Sequence, residues 1–301
     1  GVWRSDNLGE SWHFANHGLD NLIVAALELA PSDSDILYAG TKGGLFVSHD
    51  AGGSWQACDT YGGLITFSRP KNHRSVAVSP ANPGILSVGT ADGRVYFSED
   101  FGSHWRVLGG HERPFFRNEA VTVIRWQADG KKIYAGSSKG VLEYSFENSQ
   151  WRVMTGSPGE VNDFLIVDNV PGLLFLASKE GLGVSEDGGK TWRVSRAFSA
   201  GECYRLASRK TSEGEMLAVA WNEGWRGRVV FTRDRGRSWI LKDQKMLSDA
   251  VSNPTRSWAG ADSRINALAA DPFNPGILFR TDWWGVWRSD DDGLNWHEKI
   301  I

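Results

Sequence analysis

Residues 289–296 read Ser289-Asp290-Asp291-Asp292-Gly293-Leu294-Asn295-Trp296, and this pattern, Ser-x-Asp-x-Gly-x-x-Trp, recurs along the whole chain. Residues 48–55, 98–105, 185–192 and 232–239 repeat it well, the last with Thr232 in place of Ser. Residues 5–12 carry Asn7 at the Asp position, and residues 144–151 are a decayed copy with Asn148 where the Gly belongs. The seven closing tryptophans are Trp12, Trp55, Trp105, Trp151, Trp192, Trp239 and Trp296, which lie 41 to 57 residues apart by subtraction of their positions. Self-similarity at such a period means a modular array in which one supersecondary unit is stacked on its neighbours.

The unit is made of strands. Gly44-Leu45-Phe46-Val47-Ser48 and Gly285-Val286-Trp287-Arg288-Ser289 lead into their boxes, and the closing Trp opens the next strand. The box is therefore a hairpin turn. Its Asp accepts backbone N–H groups, as Asx turns do, and its Gly supplies positive φ. A second turn, Asn82-Pro83-Gly84 and again Asn274-Pro275-Gly276, joins two further strands ahead of the box. Each period holds four short strands and no amphipathic helical window. Four-stranded units repeated radially are β-propeller blades.

These boxes resemble the Asp-box, or BNR, repeat of sialidase-like propellers, and the resemblance covers essentially the whole chain. It implies an all-β propeller, with the boxes as scaffold on the face away from the ligand site and function on the opposite face. In size, box number and Arg-bearing face the chain also resembles photosystem II stability/assembly factors. Its Asn-Pro-Gly-Ile-Leu turns resemble those of xyloglucan hydrolases, which are about twice as long and cleave between two propellers. Sialidases use an Arg triad, a Tyr–Glu pair, an Asp acid and an early Arg-Ile-Pro motif. Here Arg69-Pro70 is a faint echo, and no one-to-one match follows. The resemblance alone favours a secreted or periplasmic location.

Residues 1–301 read as one propeller domain. Seven four-stranded blades are expected, the first incomplete because residues 1–15 supply only a strand, a box and a strand. Either the chain is clipped at an end or another segment fills that place. The alternative is a six-bladed ring with a trailing hairpin. Inner strands are expected at residues 24–27, 76–78, 121–124, 164–167, 206–208 and 267–270, and residues 243–264 form the longest break in the period. Formal net charge is −3 and the isoelectric point about 6.2, so nothing electrostatic points to nucleic acid. No apolar run approaches the ~18–20 residues that span a bilayer. Cys58 and Cys203 fall in different blades and read as free thiols.

Function is expected in the connections on the face opposite the boxes. These carry Arg74, Arg113, Arg117, Arg205 and Arg226, interleaved with Tyr204, Trp221, Trp225, Trp258, Trp283 and Trp284. Guanidinium forks beside aromatic faces suit an oligosaccharide or a protein segment. A glycoside hydrolase needs two carboxyl groups about 5–10 Å apart. Candidates on the same face are Glu112, Glu119, Asp163, Glu202, Glu223 and Asp282, and spacing selects no pair. No metal-ligand cluster, phosphate-cradling loop or nucleophile elbow occurs, so neither metal nor cofactor is expected. The leading expectation is a non-catalytic binding or assembly module; the alternative is a glycoside hydrolase.

Overall fold

The computed structural model describes residues 1–59, 75–109, 119–168, 170–195, 201–211, 214–224, 226–241, 245–247, 264–271, 273–274, 276–283 and 285–299. Every regular element among them is a β-strand. The chain opens with a hairpin, β1 (Trp3–Arg4) and β2 (His13–Phe14). The first four-stranded sheet is β3 (Val24–Leu29), β4 (Leu37–Thr41), β5 (Gly44–Ser48) and β6 (Gln56–Ala57). The second is β7 (Val76–Val78), β8 (Leu86–Gly89), β9 (Val95–Ser98) and β10 (Arg106–Val107). The third is β11 (Val123–Trp126), β12 (Lys132–Ser137), β13 (Gly140–Ser145) and β14 (Gln150–Val153). The fourth is β15 (Val161–Ile166), β16 (Leu174–Ser178), β17 (Gly181–Ser185) and β18 (Arg193–Ser195). The fifth is β19 (Glu202–Thr211), β20 (Gly214–Glu223), β21 (Arg226–Thr232) and β22 (Ile240–Leu241). After β23 (Lys245–Leu247) come β24 (Ala267–Ala270), β25 (Leu278–Thr281), β26 (Val286–Ser289) and β27 (Asn295–Lys299).

Four consecutive strands form an antiparallel meander in each of the six sheets, and the innermost strands β3, β7, β11, β15, β19 and β24 pack on one another in succession. The fold is a β-propeller with six complete blades. Seven four-stranded blades are not confirmed, because among the described residues the opening hairpin pairs only with itself. It sits between the first and last blades. Trp55 Nε1 donates to Ala15 O at 2.8 Å and Arg4 Nη1 to Ala51 O at 2.8 Å on one side. Arg288 Nη1 donates to Leu8 O at 2.9 Å, and Lys299 meets Glu10 at 2.6 Å, on the other. The break at residues 243–264 hides one element the pattern did not reveal: β23 adds to the outer edge of the last blade, parallel to β27. The third inner strand starts two residues later than expected, and the fourth and fifth start three and four residues earlier.

The boxes share one hydrogen-bond design. Ser289 Oγ donates to Asp291 Oδ1 (2.9 Å) and accepts from Gly293 N (2.8 Å), while Asp291 Oδ1 accepts from Asn295 N (2.8 Å). The same set forms at Ser48–Asp50–Gly52, Ser98–Asp100–Gly102, Ser185–Asp187–Gly189 and Thr232–Asp234–Gly236. Asn7 reproduces it with Ser5 and Ser11. The turn needs two consecutive left-handed residues, such as Asp292 (φ 62°) and Gly293 (φ 80°), so glycine at the second is the low-strain choice. The tryptophans then lean on the preceding blade. Trp105 Nε1 donates to Asp59 O at 2.9 Å and Trp151 Nε1 to Leu108 O at 3.1 Å.

Hydrogen bonding also fixes how the protein responds to acid. The hydroxyl and backbone of Ser54 hold the Asp50 carboxyl down at about 2, and the His104 side chain and backbone hold Asp100 at about 2. Asp187 and Asp234 are lowered in the same way by Thr191 and Ser238. An unfolded Asp titrates near ~3.9, so as pH falls the unfolded chain takes up protons first and stability drops. The box contribution is therefore complete above about pH 4 and lost as pH falls through about 2. Melting temperatures measured from pH 6 to pH 2 should fall across that window. The slope should flatten in an Asp50→Asn/Asp100→Asn variant; an unchanged slope would assign acid sensitivity to other groups.

Candidate functional site

The connections opposite the boxes gather at one face of the ring, but they do not present all the residues the sequence placed there. Arg74, Glu112, Arg113, Arg117, Trp225, Trp258 and Trp284 lie outside the described residues. Of the others, several belong to the framework.

Asp163 is the clearest correction. It is fully buried in β15, next to a bulge, rather than displayed on the face. Its Oδ1 accepts from Arg125 Nη2 at 2.6 Å and from Phe164 N at 3.0 Å, and its Oδ2 from Leu206 N at 3.2 Å. One carboxylate thus joins the third, fourth and fifth blades. Arg205 is likewise buried. Its Nη1 donates to Asn162 O at 3.0 Å and to Tyr204 O at 2.8 Å, and its guanidinium lies 4.5 Å from the centroid of the Tyr204 ring. Burial pushes the Tyr204 hydroxyl up, against the opposing effect of Arg205.

Asp282 is buried beside Arg280, 3.7 Å away, and accepts from Gly285 N at 3.1 Å. Arg280 lies 5.1 Å from the Trp296 ring centroid and 5.9 Å from that of Trp287. Burial pushes Arg280 down to about 10, opposed by Asp282, which leaves it charged at neutral pH. Asp282 and Arg280 form an internal ion pair inside an aromatic wall. Trp221, expected in a loop, is a half-buried residue of β20 packed on the core between the fourth and fifth blades.

The remaining carboxylates do reach the surface. Glu119 hydrogen-bonds to Ser138 and pairs with Lys139 at 3.5 Å, and the Ser138 hydroxyl holds its carboxyl below the usual range. Glu202 stands opposite Asn222 in the β19–β20 ladder. Glu223, the next residue along, therefore points to the other side of the sheet from Glu202. Glu119 is thus tied to its neighbours, and Glu202 and Glu223 lie on opposite sides of their sheet. What the face does offer is Trp283, 67% exposed at the turn between β25 and β26, exposed Arg226 at the start of β21, and half-buried Tyr204.

On the box side, a cavity of about 190 Å³ opens between the fourth and fifth blades, lined by Val167, Val170, Leu173, Phe175, Arg233 and Arg235 among others. Val170-Pro171-Gly172 stands where the second and last blades carry Asn82-Pro83-Gly84 and Asn274-Pro275-Gly276, a departure that could have marked it in the sequence. Among the described residues, no group of three or more His, Cys, Asp or Glu side chains could hold a metal ion.

No protein-family model matches this chain, and no curated protein matches it by sequence. Solved structures do. A GH74 xyloglucanase from Xanthomonas campestris superposes with a TM-score of 0.80 at 17% identity, covering 99% of this chain and 51% of that one. The Niastella koreensis GH74 enzyme gives 0.80 at 17% identity, covering 100% of this chain and 51% of that one. The fold is that of the xyloglucanase propellers. This chain spans about half the length of those enzymes. YCF48 bound to D1 peptide superposes with a TM-score of 0.63 at 14% identity, covering 94% of this chain and 84% of that one. At these identities the likeness establishes architecture, not activity.

Proposed function

We propose that residues 1–301 act as one propeller domain and as a non-catalytic binding module. Its face opposite the boxes takes a glycan or a protein segment. The observation that carries this reading is the division of labour on that face. Asp163 and Asp282 are buried and committed to neighbours, Glu119 is tied to Ser138 and Lys139, and Glu202 and Glu223 point apart. Trp283, by contrast, is largely exposed, with Arg226 also exposed on the adjacent blade. An exposed indole and an exposed guanidinium on one face suit sugar rings or a peptide carrying apolar and acidic groups. The peptide named in the YCF48 structure is consistent with such a use of the fold.

The test is native mass spectrometry with a panel of oligosaccharides and acidic peptides, followed over hours. Intact complexes are expected, with no shortened sugar. Trp283→Ala should weaken binding about tenfold or more, on the scale of a truncated aromatic anchor. Its melting temperature should stay close to that of the parent, as for most exposed substitutions. Shortened oligosaccharides would make the chain a glycoside hydrolase and overturn the reading.

A further inference from the structure

The seam between the fourth and fifth blades is filled less completely than its neighbours, and the residues around it say what would fill it. In the second, third and fourth blades the inner-strand residues paired with Leu86, Ile133 and Leu174 are Val78, Trp126 and Ile166. Each fills the seam with the preceding blade on the box side. Val78 clusters with Tyr38 and Leu45, Trp126 Nε1 donates to Ser87 Oγ at 3.1 Å, and Ile166 packs against the cluster of Tyr134 and Met154. The fifth blade has Ser208 at that position, paired with Leu217. The last blade has Ala270, but there Phe231 of the fifth blade lies in the cluster it packs against.

The connection at this seam is short as well. β7 and β8 are joined by residues 79–85, and Pro83 O in that turn accepts from Tyr38 Oη of the first blade at 2.7 Å. Phe175 takes the place of Tyr38 in the fourth blade, without the hydroxyl. β19 and β20 pair as far as Thr211 and Gly214, with residues 212–213 alone between them. The cavity of about 190 Å³ lies where these two departures meet. Leu173, Phe175 and Leu217 on its wall are buried, whereas Arg233 and Arg235 are exposed, so an apolar floor opens to a cationic rim. Arg193 Nη1 donates to Gly236 O at 3.3 Å, which holds a third guanidinium beside that rim. Two carboxylates near it are occupied. Asp234 accepts from Thr232 Oγ1 and from the backbone N–H groups of Arg237 and Ser238, and Glu186 pairs with Arg237 at 3.4 Å.

We propose that this cavity binds a small monocarboxylate with an apolar body of one ring, of the arylacetate class. An apolar cavity of ~150 Å³ takes up benzene, so this one has room for a ring and a short arm. The ring would take the space that Val78, Trp126 and Ile166 fill at the other seams, against Phe175 and Leu217. The carboxylate would sit at the rim, where guanidinium groups offer charge-assisted, paired donors. The Ser208 hydroxyl adds a polar group on the wall between them. The site lies on the box side and shares no residue with the Trp283 face, so its failure would leave the binding reading of that face untouched.

The probe is para-fluorophenylacetate, titrated with the full chain and followed by fluorine NMR, with para-fluorophenethyl alcohol as its uncharged match. Saturable binding is expected with a submillimolar dissociation constant. The alcohol should bind about tenfold more weakly, the scale of a hydrogen bond to a charged group. Ser208→Ile, which copies Ile166 of the fourth blade, should weaken binding of both tenfold or more. It should also raise the melting temperature by a few degrees, as cavity filling does. Arg235→Gln, at an exposed position, should weaken the acid by up to about fivefold, the range for an exposed ion pair, and leave the alcohol unchanged. Trp283→Ala should alter neither. Absence of saturable binding at millimolar probe would overturn the proposal, as would equal binding of acid and alcohol. So would unchanged acid binding in a folded Ser208→Ile variant. Should that variant not fold, unchanged acid binding in Arg235→Gln decides against the proposal.

Discussion

Trp296→Ala is expected to destabilise the protein by roughly 3–5 kcal/mol, the range for truncating a buried Trp or Phe. Trp296 is fully buried in the cluster that joins the fifth and last blades, with Phe231, Leu278 and Trp287. Its ring also forms part of the wall around Arg280, and its Nε1 donates to Gly293 O at 3.1 Å. Alanine would leave a cavity beside a buried guanidinium whose charge needs that packing. Equilibrium urea unfolding would give the value. Trp283→Ala is the matched control, since Trp283 is mostly exposed and should change stability by less than about 0.5 kcal/mol. Trp12→Ala should fall between, because Trp12 is only half-buried. Equal losses at Trp296 and Trp283 would contradict the assignment of box tryptophans to the framework.

Asp163→Ala is expected to cost about 3–5 kcal/mol, as for breaking one partner out of a buried ion pair. The change removes an acceptor shared by Arg125 Nη2, Phe164 N and Leu206 N. It leaves a guanidinium that is only 19% exposed in its side chain, together with two buried backbone donors. Asp163→Asn should cost less, because the amide oxygen still accepts one of these bonds. The decisive comparison pairs unfolding midpoints with ligand binding at a temperature where the variant remains folded. Binding should survive. A variant of parental stability that lost sugar hydrolysis would instead make Asp163 catalytic, and would remove the argument that its carboxylate serves the ring.

The scaffold was legible because its information is local. Ser, Asp, Gly and Trp within eight residues form a closed turn whose hydrogen bonds run between residues two to four apart, as at Ser289, Asp291, Gly293 and Asn295. Asn7 and Thr232 were readable as substitutes because each keeps the needed oxygen. The short strand β23 was not legible. Three residues pairing in parallel with an edge strand leave no periodicity to detect.

The candidate site was less legible because its information is not local. Strand ends belonging to different blades meet only when the ring is assembled, typically across some forty residues. Asp163 accepts from Leu206, 43 residues away, and Arg125 reaches Asp163 across 38. No spacing rule in the chain separates such a stitching carboxylate from one open to a ligand.

By itself, then, the sequence determined that this is a propeller and that its tryptophan boxes are turns, because each of those features is made by neighbours along the chain. Only the tertiary structure decided that Asp163, Arg205 and Asp282 face inward while Trp283 and Arg226 face out. It also decided that Leu27 is exposed while Val76, Ile124, Phe164, Leu206 and Leu268, at the same register position of the other inner strands, are buried, because burial depends on what packs alongside in the ring.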